Sequence, residues 1–185
     1  MKTNTEPQKG IPLATGGQIG ERARSCLDRF ATDFKLTPNL LRVLAHSGAA
    51  LEGFTELMRA NLSSSLGSKA AEQFMVALAV HNGSDYAFAA HSALAANFGV
   101  SKEDVIAARN ASATDPKTAA GLRFALRLLD THGRVSDSEL AAVREAGYSD
   151  EELVEIAALI GQSVITAIVN NLAKTPVDFP APPRK

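Results

Sequence analysis

The chain has 185 residues, 45% of them hydrophobic and 21% charged, which is long enough and apolar enough to bury the core of one globular domain. Its 19 basic and 20 acidic residues give a net charge of −1 and are scattered along the chain. The sequence therefore has no basic stripe that could follow a phosphate backbone, which argues against nucleic acid as a partner.

Both ends of the chain differ in composition from the middle. Residues 1–17 are polar and rich in proline and glycine, so they predict a flexible arm without a secretory signal. Residues 175–185 hold four prolines and predict an extended tail. A single cysteine, Cys26, excludes an intramolecular disulfide and agrees with a cytoplasmic location.

The stretch 18–174 predicts one all-α domain, because no segment alternates with the period of a strand. Recurrent start and stop signals divide it into helices. The predicted helices are 18–34, 38–47, 49–65, 69–82, 85–98, 102–111, 116–132, 137–146 and 150–174.

Capping patterns support these boundaries. Thr37-Pro38 and Asp115-Pro116 each place a capping residue before a proline, and three serines (Ser101, Ser136 and Ser149) each have an acidic residue three positions later. Glycines follow five of the periodic segments and predict their ends. They are Gly67, Gly83, Gly99, Gly133 and Gly147.

Two helices, 69–82 and 85–98, are apolar nearly all round, so we expect an antiparallel pair that is buried on every side. One small subunit has too few other residues to bury both helices completely, which favours a homo-oligomer. The segment 153–172 is also strongly apolar. Because it carries Glu155, Gln162 and two asparagines, it predicts a helix buried inside protein rather than a membrane span.

One face of the helix 85–98 combines a single imidazole with apolar neighbours. Its members, including the residue just before the helix, are Ser84, Ala87, Phe88, His91, Leu94, Ala95 and Phe98. A histidine in such a setting is a candidate general acid or base, or a buried histidine hydrogen-bonded for structural reasons.

The segment EQFMVALAVHNGSDYAFAAHSALAANFGVS, from Glu72 to Ser101, resembles the core of alkylhydroperoxidase D (AhpD)-like proteins. In that family a glutamate is followed, twelve positions later, by Cys-x-x-Cys and then by a histidine. Here Ser84 and Ala87 stand at the cysteine positions, whereas Glu72 and His91 match the glutamate and the histidine. The ending NNLAKTPVDFP also resembles the family, so the likeness covers roughly 35–180.

The resemblance implies an AhpD-like helical bundle that assembles as a homo-oligomer. Thiol peroxidase chemistry needs a thiolate nucleophile and a resolving cysteine, and neither Ser84 nor Ala87 can supply it. The related carboxymuconolactone decarboxylases use no disulfide chemistry and keep a glutamate and a histidine at similar spacing. The likeness therefore permits an acid–base enzyme without a cofactor.

Three functions follow from this. The first is cofactor-free acid–base catalysis, of decarboxylase or isomerase type, by His91 and Glu72 on a small acidic or lactone-like substrate. The second is a non-catalytic relative that binds a small molecule. The third is a peroxidase-related oxidoreductase of peroxiredoxin type, as in the family.

The individual site residues also have simpler interpretations. Glu72 lies in the first turn of a helix that Ser68 could cap, where the helix dipole favours any carboxylate. Ser84 fits an N-cap better than the nucleophile of a Ser84–His91–Glu72 triad.

Tyr86, Ala87 and Phe88 are candidate binding residues, although a surface position suits Tyr86 better. The remaining histidines, His46, His81 and His132, lack ligand-like spacing, so no metal site is expected.

Overall fold

The structure, a computed structural model, describes residues 10–182 and contains nine α-helices, two short 3-10 helices and no strand within that range. This confirms the all-α prediction. The helices are α1 (Glu21–Phe34), α2 (Asn39–Leu44), α3 (Gly48–Leu62), α4 (Ser68–His81), α5 (Asp85–Ala95), α6 (Lys102–Ala108), α7 (Pro116–Thr131), α8 (Asp137–Glu145) and α9 (Asp150–Ala173). The 3-10 helices are Gly16–Gln18 and Ala96–Phe98.

Most helix boundaries agree with the capping signals. Ser136 and Ser149 form complete capping boxes, and Asp115 caps α7 before its proline. All five glycines predicted to end helices adopt positive φ angles, between 62° and 100°. The left-handed backbone costs glycine little, so four of these glycines end helices without strain, whereas Gly67 lies beyond the end of α3 and is the N-cap of α4.

Five helices (α1, α2, α3, α5 and α6) have one end three residues inside the predicted boundary. The ends of α2 and α6 have identifiable local causes. α2 ends at Leu44 because Ser47 already serves as the N-cap of α3, where its side chain accepts a hydrogen bond from Ala50 N. α6 ends at Ala108, and the chain turns at Ala111, which takes a left-handed conformation (φ 50°). The sequence has no glycine at the turn after α6, so the usual sequence signal for the end of a helix is missing there.

The predicted cap of α2, Thr37, is wrong. Pro38 occupies the N-cap position and provides no side-chain hydrogen bond. The Oδ2 atom of Asp178, from the C-terminal segment, instead accepts a hydrogen bond from the backbone N–H of Asn39 at 2.8 Å. A carboxylate at this position satisfies an unpaired N–H and interacts favourably with the helix dipole, so it fastens the C-terminal segment to α2.

The chain ends are only partly described. Residues 1–9 of the predicted arm and 183–185 of the predicted tail lie outside the described residues. The rest of the arm is anchored rather than loose, because Ala14 is buried and its N–H donates to the carbonyl of Arg42 at 3.0 Å. Residues 175–182 are non-helical and run against α2.

The antiparallel pair α4–α5 lies at the centre of the bundle, as expected. Every residue of α4 from Glu72 to Ala79 is buried. On one side the pair packs into a core built with α6, α7, α8 and α9, which we call the closed core. Fully buried Phe74, Leu122 and Ile156 are among its members. On the other side lie α1, α2 and α3, with a separate apolar cluster.

α9 is long and apolar enough to cross a membrane by length and composition. It nevertheless packs against α2, α3, α4, α5 and α7, and it buries Gln162 and Asn170, as a core helix of a bundle does. Burial is incomplete, because Ile168 and Leu172 are each 61% exposed. The sequence led us to expect that one subunit would leave helices 69–82 and 85–98 partly exposed. In the structure, the most exposed apolar side chains lie on α9 instead.

Candidate active site

The Glu72–His91 pair predicted from the sequence is formed. Nδ1 of His91, on α5, lies 2.9 Å from Oε2 of Glu72, on α4. Only 12% of the histidine side chain and 10% of the glutamate side chain are exposed. The helices bring the two residues together because they run antiparallel, so the first turns of α4 face the end of α5.

The N-terminus of α4 differs from the expectation in one respect. The helix starts at Ser68, and its N-cap is Gly67, which has no side chain with which to cap it. Ser68 is therefore not the cap. The carboxylate of Glu72 is hydrogen-bonded to His91, so the helix dipole alone does not explain why this glutamate is buried.

A cavity of about 170 Å³ lies beside the pair, between the α4–α5 pair and the helices α1–α3. Its wall is almost entirely apolar and rich in aromatic and thioether groups. Typical members are Phe30, Phe34, Phe54, Met58, Met75 and Leu94. A dry cavity of about 150 Å³ with a similar lining is large enough to bind benzene. The cavity is therefore large enough for a single-ring compound.

Few polar side chains reach this cavity. Glu72 and His91 line one part of it, and the amides of Asn61 and Gln162 line another. Asn61 Nδ2 donates to Gln162 Oε1 at 2.7 Å, so α3 and α9 are joined by a buried amide pair. Apolar walls with a small number of convergent polar groups are typical of ligand sites.

Tyr86 lines the same cavity and is buried, only 4% exposed, so its predicted surface position is wrong. Its hydroxyl donates to Asp178 Oδ1 at 2.7 Å and accepts from the backbone N–H of Leu40 at 3.1 Å. Burial, together with the Asp178 carboxylate, raises the pKa of Tyr86 well above its usual value, so the hydroxyl stays protonated. Phe179 packs edge-on against the Tyr86 ring and lines the cavity.

The other candidate residues divide between the cavity and its surroundings. Ala87 lines the cavity, whereas Ser84 does not and serves as the N-cap of α5, accepting from Ala87 N at 3.3 Å. Phe88 faces the closed core, where the Arg109 guanidinium stacks on its ring at 4.9 Å. The structure therefore brings Glu72, His91, Tyr86 and Ala87 together around one space and separates Ser84 and Phe88 from it.

Sequence reasoning missed Asn61, Gln162 and the Asp178–Phe179 segment as parts of this site. The available signal was a polar residue in the middle of an apolar helix, which marked Gln162 as a buried amide but did not identify its partner on α3. Cys26 is buried far from the family's cysteine positions in the chain, and its sulfur contacts the Thr55 hydroxyl at 3.2 Å.

No group of three or more histidine, cysteine, aspartate or glutamate side chains within 10–182 is placed to hold a metal ion. The remaining histidines have other surroundings. His81 pairs with Asp130 near the surface at 2.7 Å, and His46 contacts the carbonyl of Pro12 at 2.8 Å.

Comparison with known proteins agrees with this geometry. The sequence profile of the carboxymuconolactone decarboxylase family matches residues 48–131, which include Glu72 and His91. No curated protein sequence matches the chain significantly.

Three solved structures have the same fold, at sequence identities that by themselves establish only the fold. An AhpD-core, uncharacterized peroxidase-related protein from Ralstonia eutropha JMP134 has a TM-score of 0.80 at 21% identity, over 94% of each chain. An uncharacterized peroxidase-related protein from Silicibacter sp. TM1040 has a TM-score of 0.79 at 16% identity, over 95% of each chain.

The third structure is a cysteine-to-alanine variant of the debrominase Bmp8 in complex with 2,3,4-tribromopyrrole. It has a TM-score of 0.74 at 14% identity, over 94% of each chain. The chain is thus similar to the carboxymuconolactone decarboxylase family over residues 48–131, and it has an AhpD-like helical fold.

Proposed function

We propose that this protein is an acid–base enzyme that needs no cofactor, in which His91 and Glu72 transfer a proton on a small organic substrate. One observation carries the proposal: the hydrogen-bonded pair lies in the wall of a cavity of about 170 Å³. A histidine that is oriented by a carboxylate and lines an apolar cavity has the arrangement that general acid–base catalysis requires.

The geometry also suggests which nitrogen reacts. A carboxylate oxygen can only accept a hydrogen bond, so His91 Nδ1 carries a proton and donates it to Glu72 Oε2. The lone pair then lies on Nε2, which is the atom available to take a proton from a substrate carbon. Glu72 stabilises the imidazolium that forms, and His91 can return the proton to a second position on the substrate.

Binding without turnover is the alternative, and one observation favours it. The debrominase relative holds a single-ring compound, 2,3,4-tribromopyrrole, in a protein whose cysteine has been replaced by alanine. A cavity that lacks the family's two cysteines could likewise hold a ring compound without transforming it. The Glu72–His91 bond would then stabilise the core only.

Isomerisation of α-angelica lactone tests the proposal. This neutral one-ring lactone becomes its conjugated isomer when a base removes a proton from C3 and an acid delivers one to C5, and the product absorbs in the ultraviolet. We expect the protein to accelerate the reaction and His91→Ala to slow it about 10²- to 10⁴-fold, the range for loss of a general acid–base group. Glu72→Gln should also slow it.

His81→Ala is the matched control, because His81 also pairs with a carboxylate, that of Asp130, but lies outside the cavity. Its rate should equal that of the wild type. Full activity in a folded His91→Ala variant would contradict the assignment. Tight lactone binding with no acceleration would support the non-catalytic alternative.

A peroxidase-related activity is the least supported candidate, since Ser84 and Ala87 replace the family's cysteines and Cys26 is buried. The wild type should not reduce hydroperoxides in the presence of a dithiol. A Ser84→Cys/Ala87→Cys variant should gain that activity if its two thiols can meet. Hydroperoxide turnover by the wild type would contradict this interpretation.

A further inference from the structure

The Asn61–Gln162 amide pair has no role in the acid–base mechanism. Both residues are more than nine-tenths buried and line the cavity. Two side-chain amides carry two carbonyl oxygens and four N–H protons. The hydrogen bond between them uses one of each. No other described residue hydrogen-bonds to these amides, so the Asn61 Oδ1 oxygen and three of the four N–H protons remain free beside the cavity.

Free amide groups in an apolar wall are costly unless something in the cavity bonds to them. Thr166, the neighbouring polar residue of α9, donates its hydroxyl proton to the backbone carbonyl of Gln162 and makes no hydrogen bond with either side-chain amide. The pair is therefore suited to a ligand group that accepts, donates or does both, such as a carbonyl, a carboxamide or a hydroxyl.

The charge of the wall limits the ligand further. None of the described residues that line the cavity is a lysine or an arginine, and the ionisable groups nearest the ligand space are the paired Glu72 and His91. An anion in this cavity would meet the Glu72 carboxylate without a compensating cation in an apolar surrounding. The acidic substrate expected from the sequence does not fit these walls, whereas a neutral lactone does.

We propose that the cavity binds an uncharged organic compound of about one ring, and that the Asn61–Gln162 pair recognises its carbonyl, carboxamide or hydroxyl group. The volume of about 170 Å³ sets the size, and the free amide groups set the chemistry. This inference deepens the proposed function, because it names the substrate class of the same site. It concerns binding alone, so it can be correct even if the protein performs no catalysis.

Two pairs of nearly isosteric probes separate hydrogen bonding from charge. Phenol and toluene differ in one hydroxyl, and benzamide and benzoate differ in charge at pH 7. Isothermal titration calorimetry on the full chain should find phenol bound more tightly than toluene, and benzamide more tightly than benzoate by at least tenfold. Benzoate binding as tightly as benzamide would overturn the proposal, and so would the failure of all four compounds to bind.

Gln162→Met removes the amide while keeping the length of the side chain. We expect phenol and benzamide to bind about 5- to 10-fold more weakly, as for the loss of one hydrogen bond, and toluene to bind unchanged. Gln73→Met is the matched control, because Gln73 is equally buried but borders a separate surface depression. Equal weakening of toluene and phenol in Gln162→Met would contradict recognition by the amides.

The two proposals fail in different experiments. His91→Ala should slow lactone isomerisation as stated above, whereas the variant should still bind phenol more tightly than toluene, because the amide pair that sets this preference is unchanged. If Gln162→Met does not fold, Asn61→Leu gives the same comparison from the other side of the pair. The ranking of the four probes on the wild type tests the inference without any variant.

Discussion

The closed core and the cavity lie on opposite sides of the same helix pair, and they differ in how completely they are packed. In the closed core, side chains from α4, α7 and α9 fill the space around Phe74, leaving it fully buried. On the cavity side, α4 and α5 present Ala71, Ala87 and Ala90 towards large aromatic residues of α1 and α3, and about 170 Å³ remains unfilled. The candidate active site therefore lies where small side chains prevent full packing.

The difference indicates that stability and binding are carried by separate parts of the molecule. Enlarging a side chain in a filled core lowers the free energy of unfolding, since no space remains for the added atoms. A cavity wall tolerates the same enlargement but loses its ligand space. Three pairs of variants and one pH titration probe the two regions.

The largest effect on stability is expected at Gly121 in α7. A Cβ atom there would lie 2.7 Å from Phe74 Cζ and closer still to the Tyr148 ring. Gly121→Ala should lower the free energy of unfolding by about 3 kcal/mol, the upper range for overpacking. Gly161→Ala is the control in α9, where a Cβ would meet nothing within 4 Å. It should raise stability by about 0.5–1 kcal/mol, as alanine does in a helix. Urea titration measures both.

Enlarging an alanine distinguishes the two sides directly. Ala125→Leu, in the closed core, should cost about 1–3 kcal/mol in unfolding free energy. Ala90→Leu, in the cavity wall, should cost less than about 1 kcal/mol because its side chain can enter unfilled space, and it should weaken phenol binding strongly. Equal stability losses in thermal unfolding would show that the cavity is not open space.

The two tyrosines test how the C-terminal segment is held. Tyr86→Phe removes the hydroxyl that donates to Asp178 and accepts from Leu40 N, so it should cost about 1–3 kcal/mol and loosen the segment that carries Phe179. The Tyr148 hydroxyl has no hydrogen bond to another described residue, so Tyr148→Phe should cost less. Hydrogen exchange of residues 175–182 should accelerate in Tyr86→Phe alone.

The smallest effect is a pH dependence at the surface of the closed core. The backbone N–H of Ser136 and the Arg127 guanidinium lower the pKa of Glu139 to about 2, from an ordinary 4.5. This carboxylate therefore adds stability above its unfolded pKa, and the contribution disappears as pH falls from about 4.5 to 2. The difference in urea midpoint between wild type and Glu139→Gln should vanish over that range. A constant difference would contradict the pKa.

The sequence predicted the helices well because their signals are local. Capping serines, glycine stops and apolar periodicity act within a few residues, so α4, α7, α8 and α9 lie within one or two residues of their predicted ends. The cap of α2 was predicted wrongly because the residue that provides it is distant in the sequence. Asp178 replaces Thr37 at α2, and that contact spans more than a hundred residues of chain.

The homo-oligomer, the cytoplasmic location and the small-molecule partner stay predictions. Residues 72–79 of α4 are buried within the subunit, so the larger exposed apolar surface is on α9, which leaves Val154, Ile168 and Leu172 exposed.

By itself, the sequence determined the helical architecture, the pairing of α4 with α5 and the meeting of Glu72 with His91, because spacing along two antiparallel helices places those side chains opposite each other. Only the tertiary structure decided the rest of the site. Whether the pair faces filled core or open space depends on volumes contributed by α1, α3 and α9, and the amide partners Asn61 and Gln162 are separated by 101 residues. Such distant complementarity leaves no local pattern in a single sequence.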